Sequence, residues 1–349
     1  MIFTDIHLQN FRSYIDESFD LGPFVNIVVG PNATGKTNLM EALMLCSIGK
    51  SYRGNSLFIR SGQEWARIDV HTTSNQLRTV KIEDKQPTTK RFVIEDKEFT
   101  RMPQSQLHPV VLFDPSSLDL VYGEPQTRRN FLDNLLGQLD IDYQGILNKY
   151  KRVISQRNRL LKKDKTDAEL FAWDIQLVEL ATQIVQSRVG LLEKINKSLE
   201  SIYSIIAGKN IPLRAQYVSK TALDNYGANI LKGLANNLAL DKLRGFTGLG
   251  PHRDDVDFVF ESKQHFSLAS RGESRSLILA LKIIEMQLLE DISGQKPLLL
   301  LDDVFSELDG LRRKTLTNYL KDHQTVITTT DADIVAKNFS ASVHHIAVG

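Results

Sequence analysis

One cysteine stands in 349 residues. A lone thiol excludes any intrachain disulfide framework and fits a reducing compartment. Cys46 lies inside LMEALMLCSIG, where a small buried apolar side chain is expected. Charge of one sign is also missing. Lys and Arg number 43 against 42 Asp and Glu, for a net charge of +1. No global field draws polyanions, so any basic surface must be local. No apolar run approaches the roughly 20 residues that a membrane helix needs. The start, MIFTDIHLQNFRSY, lacks the basic segment and apolar core of a signal peptide. A cytoplasmic location is therefore expected. The eight histidines show no ligand spacing with one another or with the cysteine, so no zinc site is read. There is no internal repeat and no low-complexity tract.

What is present alternates in character. Residues 1–100 read as short strands: IFTDIHLQNF alternates, FVNIVVG is a compact apolar run, and WARIDVHTT, RTVKIED and RFVIEDKEFT form a meander. HPVVLFDP is another strand, stopped by Pro115. Between 127 and 206 Gly and Pro thin out and helical spacing takes over. The polar break KKDKTDAE separates two long helices that fold back as a hairpin. From 211 the text turns strand-like again, with IPLRAQYV, DVDFVFE and HFSLAS. Then come a long helix from SRGES, the strand PLLLLDD, a helix LRRKTLTNYLKDH, and the strands QTVITTTDAD and SVHHIAVG. The pattern predicts an α/β nucleotide-binding fold interrupted by a helical insertion, with segments 1–122, 123–208 and 209–349.

GPNATGKT matches GxxxxGK[ST] between a strand and a helix, the context in which that loop cradles phosphates. Gly30, Pro31, Asn32, Ala33, Thr34, Gly35, Lys36, Thr37 and Asn38 are the candidate ATP-binding residues. Glycines turn backbone N–H groups inward, and the helix start adds partial positive charge. Lys36 reaches the β- and γ-phosphates, and Thr37 offers a hydroxyl to Mg²⁺. The strand PLLLLDD ends in Asp302, assigned to the metal directly or through water, and Asp303, assigned to polarise the attacking water. Asp303 is a methylene shorter than Glu, so slow ATP hydrolysis is expected. SRGES opens a helix more than two hundred residues after the P-loop. Taken alone it is a helix N-cap, Ser270 or Ser274 satisfying orphan N–H groups. Taken with SELD after the acidic strand, it is a surface that meets the γ-phosphate held by a second chain.

The set GPNATGKT, LASRGESRS, LLLLDDVFSELD and TTTD, in this order, resembles the ABC-type ATPase head of SMC proteins and their relatives. LQNFRSY, VVLFDP, LVYGEPQTRRNFLD and GPHRDD make it similar, end to end, to the RecF family of bacterial DNA replication and repair proteins. The resemblance implies an ABC-type P-loop ATPase head with an antiparallel β lobe and an inserted helical arm. It implies an ATP-dependent homodimer in which Ser270, Gly272 and Glu273 act in trans, with Asp309 in the D-loop at that interface. Arg12 matches an arginine that nears the nucleotide phosphates in SMC-like heads. The family resemblance also implies binding of duplex and single-strand/duplex junction DNA, action with RecR and RecO to load RecA at gaps, and a part in the SOS response. Glu273 stands where the usual signature ends in Gln, and is expected to point away from phosphate or to meet Arg271 or Arg275. Thr330 takes the switch position, where many ABC ATPases have His. Asp114 and Ser116 are the candidates for the Q-loop role. An SMC-like head serving a separate nuclease or other partner is the alternative function. A transporter head and a module holding nucleotide structurally fit less well with the arm, Asp302, Asp303 and SRGES.

The clearest local charge is KYKRVISQRNRLLKKDK. Lys149, Lys151, Arg152, Arg159, Lys162 and Lys163 are the candidate DNA-phosphate contacts, with Arg53, Arg60, Arg128 and Arg129 as secondary ones. A solvated face of the hairpin accounts for the same run. Arg157 and Lys165 belong to the run too, but Arg157 falls close to the apolar stripe. His252 in GPHRDD is read as structural or as an interface contact. No aromatics are interleaved for base stacking, so DNA contact through shape and charge is expected.

Overall fold

A computed structural model describes residues 1–53, 58–85, 88–163, 167–260, 270–339 and 343–349. The predicted strand HFSLAS, apart from Ser270, and Lys165 lie outside these residues. The described chain divides into two compact units. One is Met1–Ser117 with Lys282–Gly349; the other is Leu118–Leu281. This division differs from the three segments read from the sequence. The second unit holds the helical insertion together with the strands at 213–218 and 255–260 and with SRGES. Its boundary falls inside the helix Arg271–Ser293.

The first unit is built on two sheets and one helix. Five strands run parallel in the order His344–Ala347, Val25–Val29, Thr325–Thr329, Leu298–Asp302, Val110–Phe113. VNIV and LLLL are buried throughout, as a parallel sheet covered on both faces requires. The two last strands of the chain do not pair with each other; Val25–Val29 lies between them. The second sheet is antiparallel, in the order Asp16–Asp20, Phe3–Gln9, Trp65–Thr72, Leu77–Glu83, Thr89–Ile94, Lys97–Phe99. Its first long strand buries Ile6 and Leu8 and leaves Asp5, His7 and Gln9 on the wetter face. The helix Lys36–Ile48 touches strands of both sheets. One apolar stripe suffices for one sheet, but this helix has two to satisfy. Leu39, Met40, Ala42, Leu43, Leu45 and Cys46 are all buried, covering more of its circumference than a single stripe would.

The second unit holds the predicted hairpin, Tyr143–Leu161 against Asp167–Asn196. Tyr150, Val153 and Leu161 are buried on one helix, and Leu170, Leu177, Ile184 and Leu191 on the other. Leu213–Val218 pairs antiparallel with Asp255–Phe260 as a two-stranded sheet. The helices Asp167–Asn196 and Pro125–Leu139 pack on these strands, which is why they cluster with the insertion.

Charged side chains tie this unit together from inside. Arg188, 2% exposed, forks onto Asp133 at 2.9 and 3.0 Å and donates to the Pro251 carbonyl at 2.7 Å. Arg128 forks onto Asp255 at 2.8 Å through both nitrogens, and Arg129 donates to the Asp254 carbonyl at 2.6 Å. His252 bonds Tyr150 Oη at 2.7 Å, and burial lowers its pKa to about 4, so the ring is neutral. Thus TRRNFLD and GPHRDD, distant in sequence, are two halves of one anchoring network. Arg157, from the basic run, is fully buried and bonds Asp174, Asp241 and Thr247 at 2.6 to 2.9 Å. Asp133→Ala strands the buried Arg188 charge. A stability loss of about 3–5 kcal/mol is expected in urea unfolding; a loss below about 1 kcal/mol would show that the pair is not an anchor.

Candidate functional site

The Val25–Val29 strand runs straight into GPNATGKT. Gly35 closes the loop at φ 114°, and Ala33 sits at φ 68°. A Cβ on Gly35 would stand 2.6 Å from Ser13 Oγ, and one on Gly30 would stand 2.1 Å from the Val348 carbonyl oxygen. Both positions exclude a side chain. The helix Lys36–Ile48 starts with no side-chain cap and no acidic residue in its first turn. Its first N–H groups and the positive end of its dipole therefore suit an anion. Pro31, Asn32 and Ala33 are exposed along the loop. Lys36 Nζ folds back onto the Gly30 and Pro31 carbonyls at 2.6 and 2.7 Å. These are neutral acceptors, and a phosphate oxygen is the stronger partner for an ammonium.

Thr37 and Asp302 meet although 265 residues separate them. Thr37 Oγ1 donates to Asp302 Oδ2 at 3.0 Å. Asp302 also accepts from Thr328 Oγ1 at 2.6 Å, its register partner on the neighbouring strand. A hydroxyl and a carboxylate at a phosphate loop are hard oxygen donors of the kind Mg²⁺ takes. Among the described residues no group of three or more His, Cys, Asp or Glu is placed to hold a metal. A cation at Thr37 and Asp302 thus needs phosphate or water oxygens to complete its shell. Asp303 adopts the left-handed conformation at φ 52°, with its N–H on Thr328. Its Oδ1 is buried and has no partner.

Arg12 is tied to the P-loop helix. Its guanidinium forks onto Glu41 at 2.9 Å through both nitrogens and lies 5.3 Å from the Phe58 ring centroid. Glu41, on the P-loop helix, is fully buried and also accepts from Ser51 Oγ. Asn38 donates to Ser13 Oγ at 3.0 Å and accepts from Arg53 at 3.0 Å; Arg60 donates to the Ser13 carbonyl. Arg53 and Arg60, read as secondary DNA candidates, thus brace the loop's surroundings. Tyr14 Oη donates to the Gly35 carbonyl at 3.0 Å. Tyr52 Oη is buried without a partner, and burial, with Asp302 and Glu41 nearby, raises its pKa. Glu41, Thr328, Tyr14 and Tyr52 escaped the sequence reading. Only the i+5 place of Glu41 after Lys36 gave a signal, an acid inside an otherwise apolar helix.

The signature residues lie in the second unit. Ser270 and Glu273 form a reciprocal cap: the Ser270 N–H donates to Glu273 Oε2 at 2.7 Å, and the Glu273 N–H to Ser270 Oγ at 3.3 Å. Serine followed three residues later by Glu is the sequence form of this box. Glu273 therefore turns back onto the helix start, away from the direction a phosphate would take. The Ser270 hydroxyl accepts here and keeps its own proton to donate. Gly272 accepts from Ser276 Oγ at 3.1 Å. Asp309 caps the helix Gly310–Leu320 by accepting the Arg312 N–H at 3.0 Å, and that bond lowers its pKa. Thr330 is exposed just past its strand; the threonine on Asp302 is Thr328. Asp114 accepts from Ser117 Oγ at 2.6 Å and from Ser116 Oγ, closing its own turn.

Lys149, Lys151, Arg152, Arg159, Lys162 and Lys163 are all exposed. Lys149, Arg152 and Arg159 share one face of the hairpin helix with Gln156, to which Arg159 donates at 2.5 Å. Lys151 falls on another face, and Lys162 and Lys163 follow the helix end.

Replacing Gly35 by Ala or Lys36 by Ala is expected to weaken ATP binding about 10–100-fold, as loss of one charge-assisted phosphate contact or its loop geometry does. Titration calorimetry with a non-hydrolysable triphosphate checks this; unchanged affinity in both would remove the loop from the site.

Residues 5–222 match the AAA domain family. The DNA replication and repair protein RecF of Lactobacillus johnsonii is 32% identical over 100% of this chain and 98% of its own. RecF of Agathobacter rectalis is 35% identical, over 97% and 94%. A solved structure of the recombination mediator protein RecF with ATP, in the RecFOR pathway, superposes with a TM-score of 0.86 at 29% identity, covering 95% of this chain and 92% of that one. An SMC head from Pyrococcus furiosus shares the fold, with a TM-score of 0.54 at 13% identity over 100% of this chain and 94% of that one. Full-length identity, the fold and the phosphate loop agree: the chain belongs to the RecF family of DNA replication and repair proteins, ATPases with an SMC-like head.

Proposed function

We propose that ATP joins two copies of this chain around DNA and that hydrolysis releases them. The observation that carries this is the meeting of Thr37 with Asp302 at the mouth of an uncapped helix that follows a phosphate loop. Gly30 to Asn38 wrap the triphosphate, and Lys36 leaves its loop carbonyls for the β- and γ-phosphates. Thr37 and Asp302 would hold Mg²⁺, which would neutralise phosphate charge. Asp303, its Oδ1 without a partner, orients the attacking water. Arg12 positions the P-loop helix through Glu41.

One chain has no need of SRGES to hold ATP. A γ-phosphate exposed on a partner gives Ser270 its use: the hydroxyl donates to phosphate while the Glu273 box keeps the helix start in shape. Gly272 admits the close approach, and Asp309 and Thr330 lie along the same contact. ATP favours the closed pair because it binds that form better than the single chain. The helices of residues 123–208 form the arm that meets duplex or junction DNA. The family relationship supports action with RecR and RecO in loading RecA at gaps, in the cytoplasm.

Two measurements test this. By light scattering with ATP and Mg²⁺, wild type is expected to pass from monomer to dimer. Ser270→Arg is expected to bind ATP and stay monomeric; its dimerisation like wild type would leave SRGES a helix cap only. For DNA, the triple change Lys149→Ala, Arg152→Ala, Arg159→Ala is expected to lower the slope of log affinity against log salt by about 3, near 0.9 per phosphate. Lys151→Ala alone is expected to change it by less than about 1. Equal slopes in wild type and triple variant would make the arm face a solvated surface.

A further inference from the structure

The short helix Leu238–Arg244 is turned inside out. A surface helix ordinarily buries its leucines and exposes its charges. Here Asp241 is 1% exposed, accepting from Arg157 at 2.8 Å and from the Gly248 N–H at 3.0 Å. Leu243 is 84% exposed, and Leu240 and the following Phe246 are each 38% exposed. The buried ion pair anchors the segment: Arg157 takes Asp241 and Thr247 together, and Leu243, Arg244 and Phe246 between them are exposed. Leu240 and Leu243 are three apart on the helix and share its outer side; Phe246 follows just past the left-handed Gly245 and is exposed too.

The rim is cationic. Arg253 stacks over the Phe246 ring at 4.8 Å. Lys162 runs beside Gly245, where a Cβ would lie 3.2 Å from its side chain. Arg244 is exposed at the helix end. Each of these three cations is without an ion-pair partner among the described residues. Single exposed leucines are ordinary, but an apolar row held outward by a buried salt bridge and ringed by cations is a recognition surface. Its chemistry selects the occupant. Apolar anchors need a partner with apolar side chains, and the rim needs carboxylates beside them.

We infer that Leu240, Leu243 and Phe246, rimmed by Lys162, Arg244 and Arg253, dock a protein segment that carries apolar anchors flanked by acidic residues. This surface is separate from the phosphate loop and from the Lys149, Arg152 and Arg159 face; Lys162 is the one cation it shares with the DNA candidates.

The test is selection of a displayed library of 14-residue peptides on the full-length protein, followed by titration of the enriched peptides. Leu243 is so exposed that Leu243→Asp leaves the fold intact. Enriched peptides are expected to carry at least two large apolar residues beside Asp or Glu. They are expected to bind Leu243→Asp at least 10-fold more weakly, and Arg253→Glu more weakly as well, with unchanged ATP turnover. Four results would overturn the inference: no enrichment, enrichment without acidic bias, equal binding to Leu243→Asp, or displacement of the peptides by duplex DNA. A change in the mass of Leu243→Asp without ATP would overturn it too, by naming a second copy as the occupant.

Discussion

Everything at the site depends on the contact between Thr37 and Asp302. The two residues belong to opposite ends of the chain. They are neighbours because the parallel sheet takes Val25–Val29 from one end and Leu298–Asp302 and Thr325–Thr329 from the other. The sheet is thus closed by the last part of the chain, and the second unit falls in sequence between its strands Val110–Phe113 and Leu298–Asp302. Thr328 bridges the arrangement: its register opposite Asp302 and its bond to that carboxylate fix the acid where the P-loop hydroxyl arrives. The hydroxyl and the carboxylate are therefore already side by side in the folded chain.

Buried charges in this molecule act mainly as fasteners. Arg12 on Glu41, Arg188 on Asp133 and Arg157 on Asp174 and Asp241 each link segments distant in sequence. Such pairs contribute modestly to net stability, but removing one partner leaves a charge without solvent. They also set orientation. Arg12 steers the P-loop helix, and Arg157 turns a leucine-bearing helix outward. The same network gives TRRNFLD and GPHRDD a common reason to exist.

The fold and the phosphate loop were legible because their signals are local. A glycine pattern between a strand and a helix, and a run of leucines ending in acids, need no tertiary knowledge. The buried charges were not legible in that way. Arg157 stood in a run of eight cations, and only its nearness to the apolar stripe hinted that it turns inward. The ion pair of Arg12 with Glu41 could not be read either, since 29 residues separate them. The threonine run TTT concealed which member meets Asp302, since register between parallel strands is set by the sheet. The cap at Ser270 was legible in the sequence, and serine with Glu three residues on also announces the part that Glu273 takes in it. Leu213–Val218 and Asp255–Phe260 cluster with the helices because Asp167–Asn196 and Pro125–Leu139 pack on them, contacts that spacing does not reveal.

The most direct test of the shared site is complementation between two inactive chains. Lys36→Ala lacks a working phosphate loop, and Ser270→Arg lacks a working signature. Alone, each is expected to be inactive in ATP hydrolysis. Mixed in equal amounts, they are expected to recover turnover, at most about half that of wild type, since only a mixed pair holds a complete site and one of its two sites is intact. No recovery in the mixture, with mixed pairs shown to form, would contradict a site completed by the partner chain.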